Sequence, residues 1–249
     1  VVGHRKEQLV DALGDKAKYV EQRERLGTGH ALRCAKEAMK GWQGYVLVLA
    51  GDMPLIKGES LRALCDRVEA EGSAAGLLTV LKQDPTGYGR VLRDDGGRVV
   101  KIVEERDASP EEKAVREVNI SAYCFALPAL SRALEELKSD NAQGEYYLTD
   151  CIQILAKEGG ISSIQVEEEQ GLGVNDMIQM AAVERVLRRR INEGHMAAGV
   201  RMLDPDSCHI DYGVKIEKGT ILYPGNVIVG NTTIAADSKI LPGNFIEDS

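Results

Sequence analysis

The spacing of apolar residues changes along this chain, and each change predicts a different kind of element. Over 45–56 the stretch YVLVLAGDMPLI runs apolar without interruption and is then broken by Gly51, Asp52 and Pro54. Such a run suits a strand buried on both faces and ended by a turn. Leu61, Leu64, Cys65 and Val68 then follow the 3.6-residue period of one helix face, with Ser60 as candidate N-cap. GLLTVL at 76–81, RVVKIVEE at 98–105 after the turn residues DDGG, and NISAYCFAL at 119–127 read as further strands, the second antiparallel to its neighbour. Leu130, Leu134 and Leu137 mark another helix. Short apolar runs alternating with helical periodicity predict an α/β domain with a largely parallel sheet covered by helices.

Residues 176–192 carry Met180, Val183, Leu187 and Ile191 on one helical face, and the arginines at 188–190 read as its solvated C-terminal end. Beyond Pro205 the period becomes six: Ile210, Ile216, Leu222, Ile228, Ile234, Ile240 and Ile246 recur without a miss. Two residues before each, from 220 onward, stand Thr, Asn, Thr, Ser and Asn. A parallel β-helix with hexapeptide rungs requires this period, because one aliphatic residue per rung points into the coil. Three parts are therefore expected: a domain over 1–175, a linker helix over 176–200, and the first hexapeptide coils over 201–249.

Composition narrows the class. The 249 residues carry 43% hydrophobic and 28% charged side chains, the balance of a globular protein rather than a disordered one. A net charge of -8 disfavours a general nucleic-acid surface. No apolar run is long enough to span a bilayer, so no membrane partner is expected. The five cysteines are scattered without a C-x-x-C pair, which points to reduced thiols, a cytoplasmic location and no zinc site. The opening residues VVGHRKE read as the end of a buried strand running into a helix, and the start of the domain is expected to be absent.

Among candidate site residues, Asp52 stands just past the carboxyl end of a strand, where open α/β sheets place ligands. Its carboxylate suits a hard divalent cation, and equally it suits a turn cap before Pro54. Gly27-Thr28-Gly29 lacks the continuation of a phosphate loop, so a tight turn before a helix at 30–39 is the better account. His30 belongs to the start of that helix, with no catalytic partner at motif spacing. Asn175 is placed to cap the next helix, Thr149 to cap one at 150–157, Asn119 to cap a strand, and Gly87 and Gly89 to form a turn.

In chain order LGTGHA (26–31), GDMPLI (51–56), DPTGYGR (84–90), IVEERDAS (102–109), NAQGEYYLTD (141–150) and GVND (173–176) together give a specific match. The chain resembles the bacterial bifunctional N-acetylglucosamine-1-phosphate uridyltransferase / glucosamine-1-phosphate acetyltransferase family. That resemblance implies a Rossmann-like nucleotide-diphospho-sugar transferase domain with a mixed, mostly parallel sheet, a linker helix and the start of a left-handed parallel β-helix. It implies Mg²⁺-dependent transfer of UMP from UTP to N-acetylglucosamine 1-phosphate, giving UDP-N-acetylglucosamine and pyrophosphate for the cell wall. Asp52 and Asn175 would supply oxygens to Mg²⁺. Gln22, Gly27 and Thr28 would lie at the uracil base, Gly89, Glu104 and Asn119 at the sugar, and Thr149 at the sugar phosphate. A homotrimer built on the β-helix is also implied.

Two departures bear on these expectations. The family's opening strand and its Gly-rich, Lys- and Arg-bearing loop have no match here, and neither do the later coils that carry acetyl transfer; neither activity is expected to be complete in a molecule of this sequence alone. The family also follows its sugar-binding Asn with Thr-Gly or Ser-Gly, where this chain has Ile120 and Ser121. The competing readings are another sugar-1-phosphate nucleotidylyltransferase, and a non-catalytic UDP-sugar-binding or trimerisation fragment.

Overall fold

The computed structural model describes residues 1–249 as two compact units, Val1–Gly171 and Leu172–Ser249. In the first unit the elements are α1 (Lys6–Leu13), α2 (Thr28–Ala35), β1 (Tyr45–Leu49), α3 (Gly58–Glu71), β2 (Ala75–Leu81), β3 (Arg90–Arg93) and β4 (Val99–Val103). They continue with α4 (Pro110–Lys113), β5 (Glu117–Ala126), α5 (Leu127–Glu136), α6 (Asp150–Ala156) and β6 (Ile161–Gln165). One six-stranded sheet runs β4-β3-β5-β2-β6, with β1 also paired to β5.

Helices cover both faces. Leu64 and Val68 of α3 pack on Leu78, Val80, Val118, Ile120 and Cys124. On the other face Leu32, Leu130, Leu134, Ile152 and Leu155 pack on Leu77, Tyr123 and Phe125. Alternation along β2 and β5 sends successive side chains to opposite cores, which is why both strands are apolar almost throughout.

The sheet is mixed, as the resemblance implies, but it is not mostly parallel: β2–β6 is its one parallel pairing, and β1–β5, β2–β5, β3–β4 and β3–β5 are antiparallel. A strand buried on both faces has the same composition in either direction, so the apolar runs carried no directional signal. β1 also differs from expectation. It pairs with β5 alone, and Tyr45, Leu47 and Leu49 are between 41% and 47% exposed. At the start of the chain Val2 forms an isolated parallel bridge to Glu21, and Val1 is exposed. α3 starts at Gly58, so Ser60 lies inside its first turn, where its hydroxyl donates to Gln170 Oε1 at 2.9 Å.

The second unit opens with α7 (Met177–Ala197), which runs past Ile191 and leaves Arg188, Arg189 and Arg190 in its interior rather than at its end. Asp176 caps it, accepting from Gln179 N at 2.7 Å. Eight short strands follow: β7 (Arg201–Met202), β8 (His209–Ile210), β9 (Lys215–Ile216), β10 (Ile221–Leu222), β11 (Val227–Val229), β12 (Thr233–Ile234), β13 (Lys239–Ile240) and β14 (Phe245–Glu247). They form three parallel sheets, β13-β10-β7, β14-β11-β8 and β12-β9, in which partners from β8 onward stand 18 residues apart, as Ile221 opposite Lys239, and the β7–β10 partners Arg201 and Ile221 stand 20 apart.

Three rungs of six thus return the chain to the same sheet. Ile210, Ile216, Leu222, Ile228 and Ile234 share one core. The second sixfold series has its own cause: Asn226, Thr232, Ser238 and Asn244 each donate from the side chain to the carbonyl three residues earlier, at 2.6–2.7 Å. These bonds satisfy turn carbonyls that a two-residue strand cannot reach. All five cysteines are free thiols, and no helix is long and apolar enough to cross a membrane.

Candidate nucleotide-sugar site

A cavity of about 690 Å³ opens in the first unit, and its polar lining includes Thr28, Glu104, Ser121, Tyr123 and Thr149. Its apolar lining comes from Met39, Leu47 and Leu49, among others. Hydrogen bonds tie the polar residues together. Thr28 Oγ1 accepts from Leu148 N at 3.0 Å, and the neighbouring Thr149 Oγ1 donates to Glu104 Oε1 at 2.9 Å. Thr149 makes no capping bond to α6, so its hydroxyl is given to Glu104 instead. Burial raises the Glu104 pKa above the ordinary carboxylate value; the Thr149 bond opposes the shift, and the charges of Asp150 and Asp107 add to it.

The Gly-Thr-Gly stretch is held by the chain around Tyr146. Gly27 has φ 101° and ψ 175° and precedes α2 directly. Gly29 N donates to Tyr146 O at 2.8 Å, and Tyr146 N donates to Leu26 O at 2.8 Å. A Cβ on Gly29 would meet Leu137 Cδ1 at 2.5 Å and Tyr146 O at 2.9 Å, so both glycines are there for close backbone approach. Gln22 turns to the same stretch: its Nε2 donates to Gly27 O at 3.0 Å and lies 3.0 Å from His30 Nδ1. His30 is within α2, and that helix ends at Ala35 before a 3₁₀ turn over Glu37–Met39.

Around the 84–90 loop, Gly89 O accepts from Asn119 N at 2.9 Å, and a Cβ on Gly89 would stand 3.4 Å from Glu104 Oε2. The loop is clamped by Arg90, 2% exposed, whose guanidinium reaches Glu105 at 2.7 Å and the Tyr88 carbonyl. Glu105 also accepts from Gly87 N at 3.2 Å. Arg90 thereby fixes the backbone that carries Gly89, a role that the GYGR motif gave no means of reading from spacing.

Asn119 caps nothing. It lies inside β5, buried, with Nδ2 donating to Tyr123 Oη at 2.6 Å and Oδ1 accepting from Ser121 N at 3.1 Å. Ser121 is one of the chain's few non-glycine residues at positive φ, 52°, and its carbonyl accepts from Ala50 N at 3.1 Å. That bond joins β5 to the segment leading into Asp52. The departure at Ile120 and Ser121 marks this stretch in the sequence, whereas nothing in the spacing singled out Tyr123.

Gln22, Gly27, Thr28, Gly89, Glu104, Asn119 and Thr149 are thus linked within one unit, although of these only Thr28, Glu104 and Thr149 line the cavity. Asp52 is exposed in the turn after β1 and enters none of the ion pairs. Asn175 belongs to the second unit, where its backbone N–H donates to Gln179 Oε1 at 2.7 Å. No group of three or more His, Cys, Asp or Glu side chains is arranged to hold a metal ion. An exposed carboxylate without a cationic partner does fit a divalent ion whose remaining ligands are phosphate oxygens and water.

The family profile for nucleotidyl transferases matches residues 4–171, all but the first three residues of the unit that carries this site. The chain belongs to the nucleotidyl transferase family. Among curated relatives, Bifunctional protein GlmU of Caldanaerobacter subterraneus subsp. tengcongensis is 47% identical over 250 residues, covering 100% of this chain and 54% of that protein. The proteins of the same name from Latilactobacillus sakei and Enterococcus faecalis are each 43% identical over 251 residues, again covering 100% of this chain and 54% and 55% of theirs. This nucleotidyl transferase chain therefore spans about half the length of the curated relatives it matches.

Proposed function

We propose that this chain carries the nucleotide- and sugar-binding part of an enzyme that transfers UMP from UTP to N-acetylglucosamine 1-phosphate, yielding UDP-N-acetylglucosamine and pyrophosphate. The observation that carries the reading is the bonded path from Thr28 through Leu148 and Thr149 to Glu104, which joins the base-side and sugar-side candidates across one cavity. Gln22, with Nε2 spent on Gly27 O and His30, keeps Oε1 to accept from a base N–H, as uracil offers. Gly27 and Thr28 lie beside it. On the sugar side Glu104 accepts from hydroxyls, Gly89 offers backbone, Asn119 supports that half, and Thr149 stands near the sugar phosphate.

Phosphoryl transfer of this kind needs positioning and charge neutralisation rather than a protein nucleophile. Mg²⁺, when bound, would neutralise charge on the phosphate oxygens. Asp52 is proposed as one of its ligands, and Asn175 keeps the same proposal on resemblance alone. In the second unit the three parallel sheets support a left-handed β-helix through which copies trimerise.

Calorimetric titration with UDP-N-acetylglucosamine in Mg²⁺ tests the reading. Wild type is expected to release heat, and Asp52→Ala to bind at least about tenfold more weakly, the cost of losing a charged ligand interaction. Absence of binding by the wild type would remove the proposal.

A further inference from the structure

The contact between Asn119 and Tyr123 is unexpected for one strand. Four residues of regular strand separate Cα atoms by roughly 13 Å, with side chains standing perpendicular to the sheet. Here the ladder is irregular: Leu77 faces Tyr123 and Thr79 faces Asn119, so two steps of β2 are matched by four of β5. The extra residues are taken up in a bulge around Ser121, whose φ of 52° turns the backbone. The bulge brings the Asn119 carboxamide to 2.6 Å from the Tyr123 hydroxyl.

Donor chemistry fixes the polarity of this contact. Ser121 N can only donate, so the Asn119 atom facing it is the oxygen, and the Asn119 NH₂ must face Tyr123. Tyr123 Oη is therefore the acceptor from Asn119, and the Ser121 side chain also bonds to it in the sense that favours the ionised phenol, as a donor does; with both neighbours donating, the phenolic proton remains for another oxygen. Tyr123 lines the cavity with Glu104 and Ser121, whereas Asn119, behind it, does not. Burial, and then the Glu104 charge, raise the Tyr123 pKa, so the phenol stays a donor at neutral pH.

We propose that Tyr123 is a further binding residue of the sugar half of the site, donating its phenolic proton to a hydroxyl or acetamido oxygen of the hexose, and that Asn119 is a positioning residue acting through it. This rests on the UDP-sugar reading above. The ligand class is a neutral sugar oxygen, since an anionic group would face Glu104. Ser121 holds the pair together by shaping the bulge.

The test titrates the full chain, in Mg²⁺, with UDP-N-acetylglucosamine and separately with UDP. Tyr123→Phe is expected to weaken the sugar nucleotide by about tenfold, the worth of a hydrogen bond at the upper end of the usual range, and to leave UDP within about twofold. Asn119→Ala should show the same selective loss, with no further loss when combined with Tyr123→Phe. Equal weakening of both ligands by Tyr123→Phe, or none, overturns the proposal while leaving the UDP-sugar reading standing. Additive losses in the double variant overturn the role of Asn119. A wild type that binds neither ligand overturns the UDP-sugar reading, and this proposal with it. A crystal of wild type with UDP-N-acetylglucosamine gives a check that no folding defect can obscure: Tyr123 Oη is expected at about 3 Å from a sugar oxygen, and a hydroxyl turned away from the sugar refutes the assignment.

Discussion

Gly27→Ala probes the hold on the base-side stretch. Gly27 occupies φ 101° and ψ 175°, backbone space that only glycine enters readily, and alanine there costs about 1–3 kcal/mol. Crowding adds to this. A Cβ would lie 2.6 Å from Tyr146 O and 3.0 Å from Glu145 Cβ. The carbonyl cannot retreat easily, because Gly29 N donates to it at 2.8 Å and Tyr146 N is itself bonded to Leu26 O. Overpacking against rigid backbone costs about 1–3 kcal/mol more. The expected destabilisation is about 4 kcal/mol, read by urea denaturation followed by circular dichroism. At about 2–4 °C per kcal/mol, the melting temperature should fall by roughly 8–16 °C. Gly97→Ala is the control: φ is 78° but nothing lies within 4 Å of its Cβ, so only backbone strain of about 1 kcal/mol applies. If the two variants lose equal stability, the crowding argument is wrong.

Glu104→Gln should raise stability at pH 7 while weakening UDP-N-acetylglucosamine. Because burial lifts the folded pKa of Glu104, the folded chain binds this proton more tightly than the unfolded chain; its contribution is favourable at low pH and is lost as pH rises through the folded value. The variant removes that loss, so its melting temperature should exceed that of wild type at pH 7 and converge with it toward pH 4; a lower value at pH 7 contradicts the assignment. For the trimer reading, sedimentation equilibrium should give three times 27.1 kDa at micromolar concentration, and a single-chain mass at every concentration rejects it.

What the sequence revealed depended on whether a feature is written in local spacing. The sixfold series was legible because Ile210, Ile216, Leu222, Ile228 and Ile234 repeat the same burial, whereas Ile240 and Ile246 are only partly covered. The strands of the first unit were legible as elements, but their directions were not, since Leu77 and Val118 look alike in parallel or antiparallel company. The exposure of β1 follows from which strands flank it, a property of topology rather than of YVLVL. At the site, residues with a motif match were named, and Glu104, Thr149, Thr28 and Gly89 do come together. Tyr123 and Arg90 were not named, and Ser121 only as a departure from the family's glycine, because their roles arise from a bulge and a clamp that bring separated backbone into contact.

The bulge in β5 has a consequence for fidelity of assembly. A smooth ladder can slide by two residues and still present the same faces, and a strand as uniformly apolar as β5 has little in its composition to forbid this. One residue with its backbone turned over cannot be accommodated anywhere else along β2, so Ser121 acts as a notch that admits a single alignment. The irregularity that brings Asn119 to Tyr123 thereby also keys Ala50 and the Asp52 turn to one place on the strand.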